Sequence, residues 1–461
     1  MYKRPRAVLL LLLFVFSLAA FGQDPTPSPS IDLAGTKGKP PLIIIPGLTG
    51  SELINSRTGE TVWFKARRAH DDDLRLPISP VLSRNRDNLV AGDIIREVRF
   101  FKFLPETEIY ERLFEALTTR GGYKEGSWKT PQKDGYQDTF YVFAYDWRLD
   151  NVANARLLIQ RVEQLKRALG KPGLKFNIAA HSMGGLIARY AAMYGGAEPP
   201  ATNPKPTWAG AKHFDKIFLL GTPNEGSVSA LNSLLNGFSY IGGGLNLPFI
   251  QNISRFDVFT LPSVYQLLPH EGAVLAYDQD LQPLKVNIYD PAAWEKYQWA
   301  IWQDDDFTKK LTPTEQRNAK AYFGAVLERA RRFQAALDAN TSEKIPVSIY
   351  LMGADCKETQ NAFILVFDPK KNEYKTIFKG EGITKSNGEK VPDEEVKKLL
   401  YSIGDGVVTK RSLAGETLVS TGKKTVFPYV SDLYQCEDHN RLISNPGIQD
   451  KVLRILAGSL Q

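Results

Sequence analysis

Ser182 is the residue of this chain best placed to act as a nucleophile. It lies in Ala-His-Ser-Met-Gly, residues 180–184, between a run typical of a buried strand and a run typical of a helix. This arrangement matches the nucleophile elbow G-x-S-x-G, with alanine at the first position. Small neighbours are needed because larger ones would collide with the adjacent strand and helix. A serine that merely caps the helix is the alternative.

A serine hydroxyl needs a histidine base and a carboxylate that orients the base. His439 is the best candidate base, because it follows the last strand-like run, residues 425–429, where this topology places the base. Asp405, in a short loop between two glycines, is the candidate acid, and Asp355 is its rival by topology alone. The other four histidines are His70, His181, His213 and His270.

Acyl chemistry also needs backbone N–H groups that stabilise an oxyanion. One is expected from the residue after the nucleophile, Met183, at the start of a helix. The second is expected after the first core strand. The amide of Leu48 is the candidate there, within Pro-Gly-Leu-Thr-Gly, residues 46–50. Glycines on both sides let this backbone approach a reacting carbonyl.

Other chemistries are not indicated. The acidic runs at residues 71–73 and 304–306 lack convincing metal-ligand spacing, and no glycine motif for phosphate precedes a helix with a lysine. We therefore predict no metal and no cofactor. The net charge of +7 comes without a long Lys/Arg block, which gives no case for nucleic acid. It is compatible with contact with a membrane surface and equally with an ordinary solvated surface.

The elements that would position these residues alternate between strand and helix. Runs rich in β-branched residues read as strands buried on both faces, and residues 151–169 carry apolar side chains at helical spacing before Gly170. This pattern predicts an α/β fold around a mostly parallel sheet. Residues 362–378 look like a hairpin. The predicted strands cover residues 42–45, 139–147, 174–180, 216–223 and 347–353.

A long insertion interrupts the alternation at about residues 224–344. It becomes helical and aromatic, and reads as a cap over the carboxyl edge of the sheet within a catalytic domain spanning residues 41–461. Trp294, Trp299 and Trp302 within it could pack inside the cap or dip into a lipid interface.

The N-terminus reads as a secretory signal peptide at residues 1–22, with three basic residues before a short apolar run. It predicts a secreted or periplasmic protein, and an uncleaved membrane anchor is the alternative. Residues 23–40, rich in Pro, Ser and Gly, are expected to form a disordered linker. In an exported protein the two cysteines, Cys356 and Cys436, could form a disulfide or remain isolated thiols.

Seven motifs in order resemble the lecithin:cholesterol acyltransferase family, which includes the lysosomal phospholipase/transacylase and bacterial relatives. The resemblance extends from about residue 40 to the C-terminus. Its motifs are PGLTGSEL at 46–53, YDWR at 145–148, AHSMGG at 180–185, LLGTPNEGS at 219–227, LPSVYQLLP at 261–269, GDGVV at 404–408, and the late His439.

The resemblance implies an α/β-hydrolase whose cap admits a lipid acyl chain. Members transfer an acyl group from a glycerolipid to serine, and then to an alcohol or water. The resemblance supports Ser182, Asp405 and His439 as nucleophile, acid and base. It also makes Asp355 a weaker candidate for the acid. Asp146 and Arg148 read as structural. The alternatives are an esterase or triacylglycerol lipase without transfer, and a non-catalytic lipid-binding protein.

Overall fold

The computed structural model describes residues 31–65, 74–98, 107–133, 136–239, 252–339, 345–418, 424–425 and 428–458. The predicted signal peptide, residues 1–22, and residues 23–30 of the predicted linker lie outside these ranges. Residues 31–40 contact the folded chain, since the Leu33 N–H donates to Arg120 O and the buried Lys39 pairs with Asp138. The contacts of the folded unit therefore begin before residue 41.

A seven-stranded sheet forms the centre of the protein, and all of its strand pairs are parallel. Leu42–Ile45 and Phe176–His181 are buried throughout, as expected for strands covered on both faces. Because the strands are parallel, the loops after them meet at one edge of the sheet. From one side to the other the strands are Ser431–Tyr434, Ser348–Gly353, Phe214–Leu220, Phe176–His181, Leu42–Ile45, Thr139–Val142 and Lys124–Glu125.

The predicted helix at residues 151–169 is Asn151–Leu169 in the structure. It begins where the Asp150 side chain accepts from the Val152 N–H, and it ends at Gly170 in the left-handed conformation, φ 67°. Met183–Tyr194, directly after Ser182, is buried along its whole length. Further helical segments of this part are Leu82–Arg84, Glu111–Glu115, Ala116–Arg120, Ala211–His213, Asp393–Leu400, Lys410–Ala414, His439–Ser444 and Pro446–Leu456.

The chain between strands Phe214–Leu220 and Ser348–Gly353 is mainly helical. Its longest helix, Pro313–Leu337, has a capping box made by Thr312 and Glu315. This helix packs on Met183–Tyr194, where Tyr190 stacks on Phe333. The other helical segments of the insertion are Val228–Asn236, Arg255–Phe259, Pro262–Tyr265, Pro291–Lys296, Ile301–Gln303 and Asp305–Thr308.

Small sheets surround the main one. The predicted hairpin is present as Ala362–Asp368 paired antiparallel with Glu373–Ile377. Leu275–Tyr277, from the insertion, adds to it in parallel, so the insertion is joined to sequence beyond residue 344. The remaining strands are Ser51–Asn55 with Thr61–Trp63 and Leu89–Ile94, Glu97–Val98 with Thr107–Glu108, Phe238–Ser239 with Asn252–Ile253, Lys357–Gln360 with Tyr401–Gly404, Ile383–Thr384 with Lys390–Val391, and Thr417–Leu418 with Lys424–Thr425.

The last strand of the main sheet is Ser431–Tyr434, so placing it at residues 425–429 was wrong. Cys356 and Cys436, whose pairing the sequence leaves open, form a disulfide that joins the loops after the two outermost strands on this side. Among the helices of the described residues, none is both long and apolar enough to cross a membrane.

Candidate active site

Ser182 stands at a strained turn between the strand Phe176–His181 and the helix Met183–Tyr194. Its φ is 52° and its ψ is −126°, a left-handed conformation that costs on the order of 1–3 kcal/mol for a residue with a Cβ. The Ser182 N–H donates to Leu220 O at 2.8 Å, which fixes the turn to the neighbouring strand. The sequence thus folds Ser182 into the elbow geometry that its motif indicates.

The two glycines after Met183 are required by close packing. A Cβ on Gly184 would stand 2.5 Å from Pro46 O, and a Cβ on Gly185 would overlap the side chain of Thr222. The helix Met183–Tyr194 therefore lies directly against the loops that follow the strands on either side of Phe176–His181. Larger residues at 184 or 185 would push Ser182 out of place.

The structure brings Ser182, His439 and Asp405 together. The Ser182 Oγ lies 2.9 Å from His439 Nε2, and His439 Nδ1 lies 2.7 Å from Asp405 Oδ2. Since the carboxylate can only accept, His439 carries its proton on Nδ1, and its Nε2 accepts from the Ser182 hydroxyl. His439 and Asp405 are buried.

Asp405 is held rigidly by its own loop. Its Oδ1 accepts from the N–H groups of Val407 at 3.0 Å and Val408 at 2.7 Å, while its carbonyl accepts from the His439 N–H at 2.9 Å. Asp355, the alternative acid, instead pairs with Lys410 at 2.8 Å. The carboxylate that contacts His439 is therefore that of Asp405.

The loop of residues 46–50 lies next to Ser182. A Cβ on Gly47 would stand 2.9 Å from the Cβ of Ser182, so only glycine fits there. Leu48 and Ser182 line the same cavity, and Met183 begins the helix after Ser182. Among the hydrogen bonds of the described residues, none takes up the N–H of Leu48 or of Met183, as the predicted oxyanion role of these amides requires.

The YDWR motif supports this loop. The Tyr145 hydroxyl donates to Pro46 O at 2.8 Å, and the Trp147 indole donates to Ser51 O at 3.1 Å. Arg148, fully buried, pairs with Asp146 and Asp87 at 2.7–2.8 Å. Asp146 and Arg148 are therefore structural in this fold, as the sequence indicates, while Trp147 also lines the cavity.

His181 makes a separate set of contacts. Its Nδ1 lies 3.0 Å from the Tyr110 hydroxyl, and its Nε2 lies 3.1 Å from His439 O. Burial, and then the neighbouring His439, lower the pKa of His181 to about 3, so the ring is neutral near pH 7. The contact between Tyr110 and His181 has no local sequence signal, because the two residues are 71 positions apart.

A cavity of about 220 Å³ contains Ser182 and His439 in its wall. The rest of its wall is mostly apolar and nearly half of it comes from the insertion, which also contributes the polar Ser227, Ser229 and Ser233. Cavities that are largely apolar with a few convergent polar groups are typical of ligand sites. Its apolar side chains are Leu48, Ile109, Tyr110, Trp147, Pro223, Ala230, Phe238, Ile253, Val258, Leu261, Val264, Leu267, Val407 and Val408.

The remaining histidines lie elsewhere. His213 Nδ1 is 3.3 Å from Lys166 Nζ, and His270 Nδ1 is 2.6 Å from Asp338. His70 lies outside the described residues, as does the acidic run at 71–73. Within the described ranges, no cluster of histidine, cysteine or acidic side chains could hold a metal ion.

The aromatic side chains of the insertion pack inside it. Trp294 and Trp299 are buried, and their rings lie 5.5 Å apart. The Trp302 ring lies 4.4 Å from that of Phe323 on the helix Pro313–Leu337. Trp299 also donates its indole N–H to Thr376 Oγ1 of the hairpin at 2.8 Å. The three tryptophans therefore pack against neighbouring side chains of the fold.

The parallel sheet, the flanking helices and a serine at a strained turn after a central strand define an α/β-hydrolase, which confirms the predicted fold class. A chain of the solved Tle4–Tli4 complex supports this fold at a TM-score of 0.53 and 15% identity, over 91% of this chain and 98% of that one. The mature lipase BlEst2 of Bacillus licheniformis aligns over 94% of this chain and 96% of that one, at a TM-score of 0.35 and 13% identity.

The chain belongs to the lecithin:cholesterol acyltransferase family, whose model matches residues 128–415. This match covers more than half of the chain and includes Ser182 and Asp405. Phospholipase A(1) LCAT3 of Arabidopsis thaliana is 24% identical over 254 residues, which are 50% of this chain and 52% of that protein. The chain thus spans about half the length of this curated relative. The family predicted from the seven motifs is confirmed, although PGLTGSEL at 46–53 and His439 lie outside the matched residues.

Proposed function

We propose that this protein processes lipid acyl esters through an acyl-Ser182 intermediate. The observation that carries the proposal is the continuous hydrogen-bonded path from Ser182 Oγ through His439 to Asp405, in the wall of a largely apolar cavity. A serine hydroxyl in contact with a neutral imidazole nitrogen has the base that it needs for attack on an ester.

In the proposed first step, Ser182 Oγ attacks the ester carbonyl while His439 Nε2 takes the hydroxyl proton. The amides of Leu48 and Met183 stabilise the oxyanion. Asp405 keeps the Nδ1 proton of His439 in place and stabilises the imidazolium. The imidazolium then returns its proton to the leaving alcohol oxygen, which departs as the ester bond breaks.

In the proposed second step, water or an alcohol attacks the acyl-Ser182 ester, and His439 again accepts the incoming proton. His439 then protonates Ser182 Oγ as the new ester or free acid leaves. The apolar side chains contributed by the insertion suit an acyl chain, because they exclude water around it. We propose that the insertion, about residues 224–344, acts as a cap within a catalytic unit of residues 41–461.

The family, and a relative named as a phospholipase A(1), support an ester lipid as the substrate. A lipid donor would bring the protein into contact with a membrane surface, and we include this contact in the proposal. Export by residues 1–22 to a secreted or periplasmic location stays a prediction from the sequence. The proposal involves no cofactor, metal or nucleic acid.

The test of the proposal is labelling by a fluorophosphonate probe, which phosphonylates activated serines. Ser182→Ala should abolish labelling and ester turnover, whereas Ser386→Ala, on an exposed loop, should leave both unchanged. Stoichiometric labelling of Ser182→Ala at another residue would refute the assignment. Lipid binding by a wild-type protein whose Ser182 the probe never labels would favour the non-catalytic alternative.

Transfer and hydrolysis are separated by a second assay. Phospholipid, triacylglycerol and nitrophenyl esters are each incubated with the protein, with and without a long-chain alcohol. Formation of a new ester supports transfer to the alcohol. Release of free fatty acid alone, at an unchanged rate, supports a lipase or esterase.

A further inference from the structure

A second chain of hydrogen bonds runs beside the path from Ser182 to Asp405. The Gly47 N–H donates to the Tyr110 hydroxyl oxygen at 3.0 Å, and that hydroxyl lies 3.0 Å from His181 Nδ1. His181 Nε2 lies 3.1 Å from the carbonyl oxygen of His439. All of these contacts are buried, and they join four distant parts of the chain, at residues 47, 110, 181 and 439.

The chemistry of the four groups fixes every proton in this chain. Because the His439 carbonyl only accepts, His181 must carry its proton on Nε2. The neutral ring then accepts at Nδ1, and the one hydroxyl proton of Tyr110 is donated there. The Tyr110 oxygen keeps a lone pair for the Gly47 N–H. A second proton on His181, at Nδ1, would prevent this nitrogen from accepting the hydrogen bond of the Tyr110 hydroxyl.

We propose that Tyr110 and His181 are positioning residues, which hold the loop of the Leu48 amide and the loop of His439 in a fixed relation to Ser182. The inference rests on the proposed function, because it assigns these two residues a role in the same reaction. Neither side chain needs to touch the reacting atoms. Tyr110 holds the residue before Leu48, and His181 holds the backbone of the base itself.

Both loops require such support, since small displacements of either would be felt at Ser182. Gly47 lies so close to Ser182 that a Cβ there would be 2.9 Å from the Ser182 Cβ. The rings of His181 and His439 have centroids only 4.9 Å apart. A neutral His181 also places no positive charge beside the imidazolium that forms on His439, in agreement with its lowered pKa.

The first test compares Tyr110→Phe with Tyr194→Phe. Each change removes one buried tyrosine hydroxyl, and that of Tyr194 donates to Ala336 O at 2.9 Å away from Ser182. For hydrolysis of a nitrophenyl acyl ester, we expect Tyr110→Phe to lower kcat by about 10- to 100-fold with KM within about twofold. The rate of fluorophosphonate labelling should fall in parallel with kcat. Tyr194→Phe should lower the urea midpoint similarly and leave kcat unchanged.

The second test uses two replacements of His181, and it also serves if Tyr110→Phe fails to fold. His181→Gln retains an amide that can donate to His439 O, whereas His181→Phe retains only a ring. We expect kcat to fall in the order wild type, His181→Gln, His181→Phe, with KM little changed.

Either of two results would overturn the inference. One is a wild-type kcat in folded Tyr110→Phe or His181→Phe, and the other is an equal loss of kcat in Tyr110→Phe and Tyr194→Phe. Failure of the proposed function looks different, because the probe would then not label Ser182 in the wild-type protein at all.

Discussion

The backbone of Gly221 lies against the carboxylate of Asp405: a Cβ on Gly221 would stand 3.1 Å from Asp405 Oδ2 and equally close to His439 Cε1. Gly221 follows the strand Phe214–Leu220 and has a φ of 60°, a conformation that side chains rarely adopt. The absence of a side chain at Gly221 therefore leaves space for Asp405 and His439, and it also permits the turn.

We expect Gly221→Ala to lower kcat by at least about tenfold, because the added methyl group presses on Asp405 and His439. The matched control is Gly170→Ala. Gly170 has a similar φ of 67°, and nothing lies within 4 Å of its Cβ position. Gly170→Ala should lose about 1 kcal/mol of unfolding free energy in urea from the left-handed conformation. Gly221→Ala should lose more, because its methyl group would also stand 2.8 Å from Leu442 Cδ1, and only Gly221→Ala should lose activity. Equal activity in the two variants would contradict the packing argument.

Asp405→Asn tests the acid. The amide can still accept from the N–H groups of Val407 and Val408, but it no longer stabilises an imidazolium or fixes the His439 tautomer. We expect kcat to fall by about 10⁴-fold, by analogy with a serine protease. Asp355→Asn, which loses only an ion pair with Lys410, should stay near wild type. Steady-state kinetics of both variants decide between the two carboxylates, and the opposite pattern would move the role to Asp355.

Removal of the disulfide should reduce both stability and turnover. Cys356 and Cys436 are 80 positions apart, and Cys436 comes three residues before His439. Cross-links of this kind stabilise by about 2–4 kcal/mol, so a double Cys→Ser variant should have a lower urea midpoint. We also expect a lower kcat at temperatures where the variant is folded, since the loop of His439 loses an anchor. A reductant should impair the wild type and leave the double variant unaffected; the reverse would refute the prediction.

Acid should destabilise the protein partly through His213. Burial, and then Lys166, lower the pKa of this side chain from 6.5 to about 4, against a raising effect of Glu163. The unfolded chain takes up a proton on His213 below about pH 6.5, whereas the folded chain does not until about pH 4. Stability is therefore lost as the pH falls through this window.

The variant His213→Phe removes this titration. Urea unfolding at pH 7, 5.5 and 4.5 should show a shallower loss for His213→Phe than for the wild type, by about 1 kcal/mol per pH unit. Parallel pH dependence of the two proteins would show that His213 does not contribute.

Local signals account for the parts of the fold that the sequence predicts well. Leu42–Ile45 is a short buried run, and Asn151–Leu169 lies between the cap Asp150 and the left-handed Gly170, so their bounds follow from neighbouring residues. The strand Ser431–Tyr434 is partly exposed and lies at the edge of the sheet. It lacks the continuous apolar run of a central strand. The sequence therefore predicts the last strand at residues 425–429 instead.

In the candidate site, too, some residues have a sequence signal and others do not. Ser182 has a local motif, and chain order in a parallel sheet, where loops after strands meet at one edge, points to His439 and to an acid before it. Chain order leaves both Asp405 and Asp355 open, and the family resemblance lowers the weight of Asp355. Tyr110 contacts residues far along the chain, so no spacing pattern reveals it. Gly221 lies in the motif LLGTPNEGS, but nothing in the motif predicts how close it comes to Asp405. The bond between Cys356 and Cys436 likewise depends on two loops that only the folded sheet brings side by side.

The insertion departs after Leu220 and rejoins the sheet at Ser348, and these two strands are hydrogen-bonded neighbours, with Leu220 opposite Met352. Because these two strands are parallel, the insertion leaves at the carboxyl edge of the sheet and returns at the amino edge, where Ser348 lies opposite Lys216. A foreign or shortened segment would still have to cross from one edge of the sheet to the other, and it would leave Ser182 on its own strand. Since the insertion supplies only part of the cavity wall, such an exchange would alter some of the lining and keep the part formed by Leu48, Trp147 and Val408.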